Sequence, residues 1–175
     1  MLPFGRALGA ALAICALTAF SVASARASGP SYDATRAAFV LLVSKYVTWP
    51  AAAFSSPSAP IVVAVIGNPA LAAKLRTLAS SQLVEERPFE IRSAANAASC
   101  AGAHIVFVSE AEQAPLLDAD SAPLRVSEEP DELRETDIAI RMISGRVAFA
   151  VNRKDVQRRG LKLSSKLMRL ASSFE

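Results

Sequence analysis

Six consecutive apolar residues, Ile61-Val62-Val63-Ala64-Val65-Ile66, are mostly β-branched, preceded by Pro60 and stopped by Gly67. A run without an alternating polar face fits a strand covered on both sides, as in a parallel sheet between helices. Six residues is short for a buried helix, and proline and glycine bracket the run as they bracket strands. His104-Ile105-Val106-Phe107-Val108 has the same character, and helical patterns lie between the two. The pattern predicts an α/β domain of three layers, with a mainly parallel central sheet flanked by helices and a C-terminal antiparallel hairpin.

The elements around these strands follow from period and punctuation. Ser31 or Asp33 can cap an opening helix in which Ala37, Val40, Leu41, Ser44, Val47 and Thr48 fall at helical spacing. Trp49-Pro50 ends it, because the residue before proline is pushed out of the α region. Asn68 and Pro69 open a second helix with Leu71, Leu75, Leu78 and Ala79 as its apolar stripe. Residues 83–88 read as a polar turn, and Phe89-Glu90-Ile91-Arg92 alternates as a strand near an edge does. Brief helices are predicted over 94–98 and 110–117, and a short strand over 123–127.

Residues 137–143 and 146–151 alternate on either side of Ser144-Gly145, which predicts a hairpin with a two-residue turn. Its inward set is Ile138, Ile140, Met142, Val147, Phe149 and Val151. Asn152 caps a closing helical region kinked near Gly160, with Leu163, Leu167, Leu170 and Ala171 apolar.

The first segment reads as separate from this domain. Arg6 and the amino terminus supply positive charge and residues 7–20 are apolar apart from Gly9 and Thr18. Ala23-Ser24-Ala25 and Ala25-Arg26-Ala27 are small-x-small cleavage sites. Residues 1–27 are thus expected to be a secretory signal peptide and 28–175 the mature domain. Cleavage removes Arg6 and Arg26 from the 19 lysines and arginines, leaving 17 against 16 acids and a charge near +1. Overall charge then offers nothing to a nucleic acid. Of the two cysteines only Cys100 survives, so an internal disulfide is excluded and the thiol is either buried or paired between chains.

Catalytic chemistry finds little footing, and the domain reads as no enzyme. Ser109 ends a strand but lacks a G-x-S-x-G elbow. The single histidine, His104, begins an apolar run and reads as a packing residue rather than a general base. One imidazole, one thiol and no H-E-x-x-H give no metal site, and Gly67-Asn68-Pro69-Ala70 lacks the glycines of a dinucleotide cradle, so no cofactor is implied. Ten acids between 110 and 137 read as a solvated rim.

Three blocks carry a resemblance: Ser44-Lys45-Tyr46-Val47-Thr48-Trp49-Pro50, the strand at 61–67, and Val147-Ala148-Phe149-Ala150-Val151-Asn152 followed by Gly160-Leu161-Lys162-Leu163-Ser164-Ser165-Lys166-Leu167. Cys100 also sits where members often have a cysteine. In this order, behind an export signal, they resemble the YfiR-like family of exported α/β regulators. The resemblance implies a periplasmic binding protein that inhibits a membrane-bound diguanylate cyclase through the cyclase's periplasmic part, tuning cyclic di-GMP signalling. A homodimer is a further expectation that the sequence leaves open. The chain departs from the family pattern before the hairpin, where Glu135-Thr136-Asp137-Ile138 stands in place of a Gly-Gly-Met-Ile-like segment. It also lacks the cysteine pair of some members there.

Matching the family blocks gives a contact set of Tyr46, Thr48, Trp49 and Pro50 with Lys162 and Ser164. From spacing alone Tyr46 and Trp49 read as core aromatics, with anchors for a partner as the alternative. Residues 153–169 hold seven bases, Arg158 and Arg159 among them, which form either a solvated helical face or a patch for an acidic partner, a lipid head group or a small anionic ligand. An anion-binding sensor acting without a cyclase is therefore the alternative function. Ligands of open α/β sheets collect outside the carboxyl ends of the strands, here near Gly67 and Ser109.

Overall fold

A computed structural model describes residues 31–109, 124–128, 136–144 and 146–171. Helix α1 (Tyr32–Ser44) is capped by the Ser31 hydroxyl, which accepts from the Ala34 amide. The helix stops at Ser44 rather than at Trp49, because Val47 and Thr48 leave it to form strand β1 (Val47–Thr48). β-branched residues lose side-chain freedom in a helix and lose less in an extended chain. A turn of 3-10 helix (Ala51–Ala53) then leads to β2 (Ile61–Ile66), buried along its whole length.

Asn68 accepts from the Leu71 amide and Pro69 takes the first position of α2 (Pro69–Ala79). Such a cap contributes about 1 kcal/mol. The turn at 83–88 closes through a Val84 and Arg87 bridge, with Glu85 and Glu86 at positive φ. Beyond it lies β3 (Phe89–Ala94), alternating in exposure as an edge strand does. The brief helix expected over 94–98 forms later, as a 3-10 turn over Ala97–Cys100, and β4 (Ile105–Val108) follows. The helix predicted over 110–117 lies outside the described residues.

β5 (Leu124–Ser127), β6 (Ile138–Ile143) and β7 (Arg146–Val151) complete a six-stranded sheet in the order β3-β2-β4-β5-β6-β7. Every neighbouring pair is parallel except β6 and β7, the expected hairpin. One face, carrying Val63, Val65, Phe107, Val126, Ile140 and Phe149, packs with α1 and α2 in the main core. The other, carrying Ala64, Ile66, Val106 and Val108, forms a smaller cluster with Ala94 and Cys100. Burial on both faces is what the unbroken apolar runs require. Cys100 lies in that second cluster, and burial pushes its thiol up, away from the reactive thiolate.

The closing region is not one kinked helix. It divides into α3 (Arg153–Arg158), β8 (Lys162–Leu163) and α4 (Ser165–Leu170). Gly160 at φ 74° ends α3 in a conformation that costs an L side chain, and the chain then turns out to pair as a strand. Leu161 is consequently buried alongside Leu167, while Leu170, counted in the apolar set with Leu167, is 66% exposed.

Candidate binding site

The first and third family-like blocks meet in a second, two-stranded sheet. β1 and β8 pair antiparallel, Val47 opposite Leu163 and Thr48 opposite Lys162. The Ser164 amide donates to the Tyr46 carbonyl at 2.9 Å, and the Ser164 hydroxyl caps α4 by accepting from Leu167. Gly160 packs under Pro50, whose Cγ lies 3.7 Å from where a Cβ on that glycine would stand. Tyr46, Thr48, Trp49, Pro50, Lys162 and Ser164 thus share one ridge, with Thr48, Pro50 and Lys162 exposed along it.

Trp49 is half-buried and belongs to an aromatic corner. It meets Phe54 and His104 edge-on, with centroids at 6.3 and 6.1 Å, and Phe54 stacks on His104 at 4.5 Å. The Arg87 guanidinium covers the Phe54 ring at 3.7 Å. His104 Nδ1 accepts from the Val62 amide at 3.1 Å, which requires the proton on Nε2, and Nε2 donates to the Ala53 carbonyl at 3.0 Å. Both ring nitrogens are engaged, and Ser109 lies at the far end of the same strand, so the two form no nucleophile and base pair.

Burial is the main cause holding His104 below its ordinary value, with Arg87 and Arg92 adding to it. The folded state therefore favours the neutral ring, and stability is full above about pH 6.5 and falls as pH drops below it. Protonation would also cost the Val62 bond, since an imidazolium has no acceptor. Thermal unfolding between pH 7.5 and 5 is expected to show a falling midpoint that His104→Gln flattens. An unchanged slope in the variant would remove His104 as the cause.

Beside the ridge lies a groove of about 780 Å³ lined by α3, β8 and α4. Val156, Leu161, Leu163 and Met168 supply an apolar floor, and Arg153, Lys162 and Arg169 stand at it without an acidic residue among its lining. That size suits a small ligand or a short apolar segment. The sequence puts Lys162 in the family contact set and Arg153 and Arg169 among the seven bases of a candidate patch, but does not single out Met168. The run of seven bases was the available signal, without a hint that they border a cavity.

Two basic positions separate in the structure. Arg158 is exposed and pairs with Asp155, whereas the Arg159 side chain turns inward to Asp137 and is only 6% exposed. Arg159 therefore leaves the solvent-facing set. Asp137 in turn corrects the reading of residues 110–137 as a solvated rim: it is 0% exposed and accepts from the Arg125 amide at 2.6 Å, with the Arg125 guanidinium 3.7 Å away. Burial and the Arg125 charge push the Arg159 guanidinium down to about 10. It stays charged at neutral pH.

At the carboxyl ends of the strands the polar groups are tied to one another. Asn68 donates to Asp33, Asp33 and Glu128 flank Arg36 at 3.0 and 2.8 Å, and Arg36 lies over the Tyr32 ring. The ridge instead sits by Trp49 and His104, at the amino end of the strands. The groove borders that ridge and so lies at the opposite end of the strands from Gly67 and Ser109. No group of three or more potential metal-binding side chains occurs among the described residues.

The domain is a mainly parallel α/β fold with a groove that combines an apolar floor and cationic side chains. A family model described as YfiR/HmsC-like matches residues 33–172, and the chain belongs to that family, whose members are periplasmic regulators of diguanylate cyclases rather than catalysts. No curated protein matches the chain. Among the described residues no helix is long and apolar enough to cross a membrane.

Proposed function

We propose that this protein is exported by a cleaved signal peptide and restrains a membrane-bound diguanylate cyclase by binding the cyclase's periplasmic part. The observation that carries this reading is the pairing of β1 with β8, which gathers Tyr46 to Pro50 and Lys162 to Ser164 into one accessible ridge on a member of a regulatory family. Thr48, Pro50 and Lys162 meet the partner, while Tyr46 and Trp49 hold the ridge against the core from behind. A homodimer would present two such ridges.

The test is capture of the cell's own membrane-bound diguanylate cyclase from detergent extract by the purified protein. Lys162→Glu, exposed and outside the core, is expected to weaken capture about tenfold, the size of one effective interface contact. Absence of the cyclase from the wild-type eluate rejects the restraint reading. Undiminished capture by the variant moves the contact elsewhere. The groove supports a second reading, a sensor for a small anion acting without a cyclase, for which ligand binding with no captured cyclase would speak.

A further inference from the structure

Apart from Lys162, the groove side of the domain carries charges that partner capture does not account for. Between Arg153 and Ala171 there are seven bases and one acid. Asp155 engages Arg158, and Arg159 is turned inward to Asp137. Arg153, Lys154, Lys162, Lys166 and Arg169 remain, all exposed and none in a salt bridge among the described residues. Leu170, 66% exposed, stands next to Arg169, and Met168 lines the groove between the cations. Three of these cations, Arg153, Lys162 and Arg169, line an apolar slot, Lys154 and Lys166 lie near them in the chain, and exposed Leu170 follows Arg169. Such a set complements a surface that is negative outside and hydrocarbon beneath.

We propose that this face docks on an anionic phospholipid bilayer, with head-group phosphates held by Arg153, Lys162 and Arg169, Leu170 entering the interface, and the groove accepting the start of an acyl chain. A soluble acidic polypeptide would match the charges but would leave the slot and Leu170 without a role. A bilayer uses all three. Attraction of this kind weakens with salt and is about fivefold per cation near the surface. A bilayer-bound regulator searches for a membrane partner in two dimensions, yet the inference does not depend on that partner.

Flotation of the purified protein with vesicles tests it, because no cyclase is present and failure here leaves the restraint reading standing. Vesicles of phosphatidylcholine with about one third phosphatidylglycerol are expected to carry the protein at low salt and release it as salt rises, whereas pure phosphatidylcholine vesicles carry little. Lys162→Gln with Arg169→Gln should weaken binding about 25-fold. Leu170→Ser should weaken it at every salt concentration. Arg92→Gln, on the distant edge strand β3, is the charge control and should change nothing. Equal binding to both vesicle types, insensitivity to the paired substitution, or binding of polyglutamate with none to the anionic vesicles would overturn the proposal. If the paired variant fails to fold by circular dichroism, the salt series and Leu170→Ser decide.

Discussion

Asp137→Asn is expected to lower unfolding free energy by about 3–5 kcal/mol, the usual cost of removing one partner from a buried ionic group. The carboxylate is wholly buried, accepts from the Arg125 amide, and lies against the guanidiniums of Arg125 and Arg159. Asparagine keeps the shape but brings an NH₂ donor and no charge to a place where two cations converge. Arg159 is already held below its ordinary value by burial and by Arg125, so loss of the shared counter-charge leaves two buried guanidiniums facing each other with less compensation. Urea unfolding followed by circular dichroism measures the change. A loss below about 1 kcal/mol would mean that Asp137 contributes no more than an exposed pair. Because Arg159 precedes Gly160 and β8, the variant should also loosen the ridge before the sheet melts.

Trp49→Ala should cost about 2–3 kcal/mol, below the range for a fully buried tryptophan because Trp49 is half-buried. In a domain of this length that lowers the thermal midpoint by about 5–10 °C. The indole is a wall of the corner that holds Phe54 and His104, and through Pro50 it backs onto Gly160. Trp49→Phe keeps an aromatic edge and should cost less than about 1.5 kcal/mol. If the indole served only as an outward anchor, alanine would leave the midpoint unmoved. Calorimetry of the two variants therefore decides between the core and anchor readings that spacing leaves open.

The parallel sheet was legible because runs such as 61–66 and 105–108 have no polar face, and only burial on two sides accommodates that. The hairpin was legible from alternation around Ser144, which does adopt a positive φ of 49°. β1 and β8 were not. A two-residue strand has no period, and Val47 and Thr48 continued a helical stripe that ended only when a distant segment offered hydrogen bonds. The same distance hid Asp137 and Arg159. An acid in a run of ten and an arginine in a run of seven look like solvated charge until the fold brings them together. The family blocks pointed to the ridge, but the cavity beside it arises from Gly160 turning the chain, which periodicity registers only as a kink.

The joining of β1 to β8 has a bearing on timing. Val47 and Leu163 are separated by more than a hundred residues, and a nascent or translocating chain delivers its amino-terminal part first. The helical and sheet cores can begin to assemble while the tail is still confined, but the half of the clasp contributed by Lys162 and Leu163 arrives last. A truncated or incompletely delivered polypeptide would therefore have most of its interior and an open β1–β8 clasp, so on the proposed reading partner capture would certify that the segment through Leu163 has arrived.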